Sequence, residues 1–358
     1  MEGRLMRAAV LDESGELTVR DDWPEPEPKA GEVLVALEKV GICGSDVHFV
    51  IDKSSKTSYA PIVLGHEPYG RVAGLGEGVT GVEVGDRVAI LPLITCMECD
   101  RCLSGKTRLC KQRLCIGADA EGCWADFTTV PARNVVPVPD SLSDTLAAVA
   151  TDSVATSHHS VATQGRVGPG MRVAVWGTGG LGLSAVGIAK ALGAEQVVAV
   201  DPREEARDWA LLTGADAAYE PEEGFAKITE QGGVDVALEF VGRAETVEKA
   251  VRSLDDGGRA VITGVGFEPA NAGRIMTFVL RERELVGSYG HEPSDVRRSI
   301  ELLASGELVL PKVVGDVIPL ADVRKGLDRV HTGDTGGSRI VVDIKACADT
   351  DQDQVGLN

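Results

Sequence analysis

The chain has 358 residues, 43% of them hydrophobic, and its 36 Lys and Arg against 55 Asp and Glu give a formal charge of −19. That length predicts two domains with a large buried core and excludes a peptide hormone or a disulfide mini-protein, while the negative charge repels nucleic-acid phosphates and anionic lipid. No apolar run approaches the roughly 18 to 20 residues of a membrane span and the first residues lack the apolar core of a secretion signal, so a soluble, cytoplasmic protein with no nucleic-acid and no membrane partner is expected.

From Met6 to about Val138 the sequence reads as short strands cut by turns: RAAVL, GEVLVALEKVGI, YGRVAGLG, GDRVAILPL and ADFTTVP. After Asp144 the pattern changes. LAAVATDSVATSHHSVATQ reads as helix, RVAVWG as buried strand, LGLSAVGIAKALG as helix, QVVAVD as strand and REEARDWALLTG as helix. The alternation continues through VDVALEFVG, AETVEKAVRSL, RAVITGVG and ELVGSYG, which is the signature of a parallel sheet with crossover helices. From His291 an amphipathic helix, a strand, a second helix and the closing strand SRIVVDI follow, and the polar residues 346–358 read as a frayed, disordered tail. The 43 glycines and 4% aromatic residues suit tight turns and close helix–sheet contacts, hence an α/β fold.

Seven of the eight cysteines fall between Cys43 and Cys123, which without an export signal argues for metal over disulfides. Cys96, Cys99, Cys102 and Cys110 form CxxCxxCx7C, enough thiolates for a closed tetrahedral zinc site on one loop; an iron–sulfur cluster is the minor alternative. A second set is dispersed: Cys43 in GICGSDVH, His66 in GHEPYG and Asp152 in TDSVATSHH. Thiolate, imidazole and carboxylate are the three protein ligands that a catalytic zinc wants, but spacing alone does not join them. Cys115 and Cys123 read as small core residues. His158 and His159 point about 100° apart on a helix and do not suit a shared ion.

Between strand RVAVWG and its helix lies Gly177, Thr178, Gly179, Gly180, Leu181, Gly182, a GxGxxG in the strand–turn–helix setting that gives the motif meaning. The first glycine permits the turn, Gly179 lets backbone approach a pyrophosphate, and Gly182 lets helix pack on strand. Asp201 ends the next strand, where a carboxylate accepts from a ribose 2′-hydroxyl and repels a 2′-phosphate. Arg203 and Arg207 nearby could take such a phosphate; the carboxylate favours NAD over NADP.

GICGSDVH, GHEPYGRV, GDRVAI with the four-cysteine loop after it, VAVWGTGGLG and VDPREEARDWALLTGADAAY occur in one order along the chain. In these segments the chain resembles the zinc-dependent medium-chain alcohol dehydrogenases, from RAAVL to RIVVDI. The resemblance implies a GroES-like catalytic domain over 1–153 with both zinc sites, a Rossmann NAD-binding domain over 154–290, and a return to the catalytic domain over 291–345. It makes Cys43, His66 and Asp152 the catalytic zinc ligands and Glu67 a carboxylate behind them. The Asp at the third ligand position tilts against a sorbitol-type enzyme. Two zinc ions per chain, NAD and a homodimer or homotetramer are implied.

By the same resemblance zinc acts as a Lewis acid on a bound alcohol whose hydride passes to the nicotinamide. Ser45 takes the hydroxyl proton, His48 passes it outward, and Thr156 packs on the nicotinamide. Asp46 is expected to orient the His66 ring or a nearby basic residue, not to touch substrate. Val265 and Arg339 join Arg203 on the cofactor, with Arg339 on its pyrophosphate, and His158 packs near it. Leu93, Ile94, Cys115 and Trp124 line a mainly apolar substrate pocket. The expected reaction is therefore reversible oxidation of a small or medium primary or secondary alcohol, with a polyol or sugar dehydrogenase as the alternative. A zinc-ribbon binding module is the rival from another class: residues 96–115 hold five basic side chains against two acidic ones. It would have no use for the dispersed triad. Zinc-free quinone reductases share the fold but not the cysteines.

Overall fold

The structure, a computed structural model, describes residues 4–346. Cys347 and the rest of the tail expected to fray lie outside the described residues. In the first lobe, strand Glu32–Ile42 is the spine. Its alternation turns Val33, Val35 and Leu37 inward, and its last residues, Val40 and Ile42, are buried too. It pairs antiparallel with Glu67–Leu75, Phe127–Pro131 and Arg339–Asp343, and the sheet continues outward to Arg87–Ile90 on one side and Val314–Pro319 on the other. A smaller sheet of Leu5–Leu11, Leu17–Pro24 and Ile62–Val63 closes the lobe.

The second lobe is a six-stranded parallel sheet. In chain order its strands are β1 (Arg172–Trp176), β2 (Gln196–Val200), β3 (Ala217–Tyr219), β4 (Val234–Glu239), β5 (Leu254–Ile262) and β6 (Glu284–Gly287), and they lie in the order 3-2-1-4-5-6. Val173 to Trp176 and Val197 to Val200 are buried without alternation, as strands covered on both faces require. Strand order reverses between β1 and β4, and ligands of such sheets bind outside the carboxyl ends at that point. Both the glycine turn after β1 and the first residues of helix α1 (Gly180–Ala191) lie there.

The lobes are joined by the segment expected to be one long helix. It runs as α-helix over Asp144–Val149, widens to π-turns over Ala150–Val154, resumes over Ala155–His158 and widens again over His159–Gln164. Such widenings recur at functional sites. Helix α2 (Pro293–Ser305) packs on this segment, and its Val296, Ile300 and Leu303 share a core with Val173, Leu183 and Ile188 of the second lobe. The same core also holds Tyr69, Ala89, Leu91 and Val341 of the first lobe, so α2 packs where the two lobes meet, before the chain rejoins the first sheet at Val314–Pro319. Among the described residues no helix is long and apolar enough to cross a membrane.

Candidate active site

The four-cysteine loop brings its sulfurs together within 15 residues of chain. Cys110 and Cys96 lie 3.4 Å apart, Cys99 and Cys102 3.6 Å, Cys96 and Cys102 3.8 Å, and Cys99 and Cys110 3.9 Å. A tetrahedron with zinc–sulfur bonds of about 2.3 Å has edges of about 3.8 Å, so the four fit a zinc ion and close it off. Backbone N–H groups of Glu98 and Cys99 hold the Cys96 thiol down to about 6, already inclined to ionise, whereas burial pushes Cys102 up to about 12.

The dispersed set also converges: donor atoms of Cys43, His66, Glu67 and Asp152 all lie within 4.8 Å of one another. Cys43 follows the spine strand and caps helix Gly44–Val50, where Asp46 accepts from its backbone N–H at 3.0 Å. The other oxygen of Asp46, fully buried, lies 3.2 Å from Nδ1 of His66. A proton on Nδ1 would face that carboxylate and leave Nε2 free as a ligand. His66 stands on a turn at Gly65, whose φ of +90° and close ring contact with Trp124 exclude a side chain. Asp152 is set on the first π-turn, 3.6 Å from the Cys43 sulfur. Burial raises the Cys43 thiol most strongly, but the Arg339 charge and His66 together outweigh it and hold the thiol below its ordinary value. Burial likewise opposes ionisation of Asp152, yet His66, His291 and Arg339 hold it down to about 2. An anionic set of soft and hard donors fits a zinc ion.

Arg339 spans the glycine turn and the ligand cluster. Its stem crosses Gly180, but its guanidinium lies 2.9 Å from Glu67 and 3.6 Å from both Asp152 and the Cys43 sulfur. Three buried acidic groups in one place need a cation, and Arg339 is the residue within reach.

A cavity of about 370 Å³ opens beside this cluster. Ser45, His66, Leu93, Cys115, Asp152 and Thr156 face it from the first lobe and the joining segment, and Leu181 and Val265 from the cofactor lobe. Two residues assigned to the pocket do not line it. Trp124 is fully buried, its ring against Gly65, and Ile94 packs on the first-lobe core. Ser45 Oγ lies 3.3 Å from His66 Nε2. His48 is not joined to Ser45; its side chain is 37% exposed and its Nδ1 is bound to Asp52 at 2.8 Å and Ser54 at 3.1 Å.

At the glycine turn, Gly177 has φ +86°, a Cβ on Gly182 would fall 1.9 Å from the Gly177 carbonyl, and one on Gly179 would meet nothing nearer than 3.9 Å. Gly179 thus leaves room where a ligand can approach. Asp201 is buried and occupied: it accepts from the Thr178 N–H at 2.8 Å and from Arg203 through backbone, Nε and Nη2 at 3.0 Å. The ribose acceptor expected there is masked by the guanidinium of Arg203, which is left partly exposed in its place.

Sequence reading missed His291. It lies just past the carboxyl end of β6, which is the one signal that could have found it. Its Nδ1 is 3.2 Å from Thr156 Oγ1, whose own proton goes to Asp152 at 3.1 Å. Also missed was the pair of acids that follows. Asp295 accepts from both histidines that seemed unrelated, His158 at 2.8 Å and His159 at 2.9 Å, and caps α2 through the Glu292 N–H at 2.8 Å. Here His158 is tied to a carboxylate of α2 and is not among the residues that face the cavity. Glu292 accepts from Thr107 N–H at 2.9 Å and from Arg108 Nη1 at 2.5 Å, so it fastens α2 to the four-cysteine loop.

Known proteins share this architecture. The sequence pattern of the alcohol dehydrogenase GroES-like domain matches residues 29–140, and that of the zinc-binding dehydrogenases matches 180–305. An L-threonine 3-dehydrogenase of Escherichia fergusonii is 32% identical over 323 residues, 88% of this chain and 93% of the relative. A putative zinc-binding dehydrogenase from Sinorhizobium meliloti, solved bound to NADP, is 28% identical with a TM-score of 0.86, covering 95% of this chain and 99% of the other. An alcohol dehydrogenase from Thermus sp. ATN1 is 27% identical with a TM-score of 0.87 over 94% and 99%. The resemblance read from five short motifs extends through the whole fold, and this chain belongs to the zinc-dependent medium-chain dehydrogenases.

Proposed function

We propose that this protein is a zinc-dependent NAD(P) alcohol dehydrogenase whose reaction chamber is the cavity beside Cys43, His66 and Asp152. The observation that carries the reading is the meeting of that buried ligand set with a mostly apolar cavity at the switch point of the parallel sheet. When bound, zinc supplies Lewis acidity toward the substrate oxygen and the nicotinamide cofactor takes or gives the hydride.

The chain's own residues do the rest. Asp46 fixes the His66 ring, and Arg339 with Glu67 sets the charge behind the ligands. Leu93 and Cys115 exclude water from one wall, and Leu181 and Val265 border the cofactor side. Thr156, held by Asp152 and His291, keeps a polar edge toward the nicotinamide position. Ser45, next to His66 Nε2, is placed to exchange the substrate hydroxyl proton. His48 acts at the rim, where it is bound to Asp52. The turn from Gly177 to Gly182 cradles the pyrophosphate, and Arg203 beside Asp201 faces the adenosine ribose.

Homodimers or homotetramers are the proposed assembly, supported by β6, which pairs only with β5 among the described strands, and by helix Ile275–Leu280 beside it. That helix buries none of its side chains: Ile275 is 83% exposed and Leu280 74%. Light scattering of the pure protein measures the mass.

A screen of primary, secondary, aromatic and polyol substrates with NAD and NADP, followed by nicotinamide fluorescence on zinc-loaded protein, tests the activity. The expected result is reduced cofactor with at least one alcohol and its loss on chelation. Turnover that survives full zinc removal would overturn the reading.

A further inference from the structure

A second cavity, of about 260 Å³, abuts the reaction chamber, and Leu93 and His291 line both. Leu91, Leu93, Met97 and Pro293 line it beside three neutral polar residues, and two solvent-exposed arginines, Arg133 and Arg297, complete the lining. No acid lines it. Arg133 spends one N–H on the Thr95 carbonyl at 3.1 Å, and neither arginine has a carboxylate partner among the described residues. Carboxylates of the helix that carries Arg297 are already committed, Glu292 to Thr107 and Arg108, Asp295 to two histidines and Glu301 to Arg298.

Two uncompensated guanidiniums over apolar walls are out of character for a chain of net charge −19. Arginine offers five donors in a planar fork suited to carboxylate or phosphate oxygens, and low-dielectric walls strengthen the attraction. A neutral alcohol would leave both exposed heads to water alone. His291, with Nδ1 turned to Thr156, stands where the chambers meet.

We propose that the substrate is an alcohol, or its carbonyl counterpart, with an anionic group at the far end of its chain, the reacting end in the first chamber and the anion between Arg133 and Arg297. This rests on the dehydrogenase reading and adds the substrate class.

The test uses zinc-loaded enzyme and sets of alcohols of equal chain length that end in methyl, carboxylate, phosphate or ammonium, with the matching carbonyls in the reverse direction. A charge-assisted pair of hydrogen bonds should raise kcat/KM of an anionic substrate about 10- to 100-fold over its neutral counterpart. That ratio should fall by a similar factor in Arg133→Gln and Arg297→Gln, and the preference should turn toward the ammonium series in Arg133→Glu/Arg297→Glu. Whichever of carboxylate and phosphate is faster identifies the anion. A ratio near or below one, or a ratio unmoved by every arginine variant whose thermal unfolding matches wild type, would overturn the proposal. If the arginines only brace the Thr95 loop, the variants lower Tm and move neutral and anionic substrates alike, which overturns it too. Absence of turnover with every alcohol and carbonyl would instead reject the dehydrogenase reading itself.

Discussion

The two ligand clusters are built from the same chemistry by opposite means. In the loop from Cys96 to Cys110 four sulfurs meet within 15 residues, so their encounter needs only one turn of helix and tight backbone. Cys43, His66 and Asp152 span 110 residues and meet because a strand end, a glycine turn and a π-turn converge. The first arrangement would supply all four ligands of a bound zinc ion; the second borders a cavity, where a bound ion held by Cys43, His66 and Asp152 would keep a position for substrate, and it depends on the whole fold for its shape. Local closure suits a staple, and distant convergence suits the proposed reaction chamber.

The sharpest way to break this contrast is Cys43→Ser. We expect loss of at least about 10³-fold in kcat, since a Lewis acid contributes several kcal/mol to the barrier, with little change in Tm. A fall in Tm as large as that of the loop variants would erase the distinction. Cys99→Ser should do the reverse, lowering stability by at least ~3 kcal/mol, roughly 6 to 12 °C in Tm, with kcat of the folded enzyme within about tenfold of wild type. Differential scanning calorimetry beside single-turnover rates reads both. Asp46→Asn leaves every ligand in place but weakens the anchor of the His66 ring; zinc affinity at the open site should drop about 10- to 100-fold with the cysteine site unaffected. Competition with a graded chelator measures this, and equal loss from both sites would count against it. The smallest effect concerns the bridge between the sites. Glu292→Gln should cost about 2 kcal/mol and raise hydrogen exchange both in the Thr107–Leu109 turn and around His291, whereas exchange confined to one side would show the two regions to be uncoupled.

What could be read in the sequence follows the same contrast. The cysteine loop and the glycine turn are local, and their ligand spacing or turn geometry is written in consecutive residues. The alternation of strands and helices announced the parallel sheet because each βα unit carries its own period. Cys43, His66 and Asp152 were assembled from family resemblance, since no local rule places residues so far apart. Two ion pairs were not legible, Arg339 with Glu67 and Arg203 with Asp201, because buried charges take an opposite charge that the fold brings near and the sequence does not say which. Trp124 looked like a pocket wall, but Gly65 had cleared room for its ring in the core. Nothing local connects His158 and His159 with Asp295, 136 residues and more away.

The bond between Arg108 and Glu292 joins residues 184 positions apart. Ordering a loop of that length carries an entropic penalty on the order of 4 to 5 kcal/mol by polymer scaling, so the contact cannot guide early folding and forms only once the parallel sheet has brought α2 into place. The cysteine loop, by contrast, can gather its ligands while the rest of the chain is still a coil. During synthesis the loop would thus mature first and remain loosely hinged until the nucleotide lobe is finished, which makes the Arg108–Glu292 contact a late checkpoint on completion of the pocket wall.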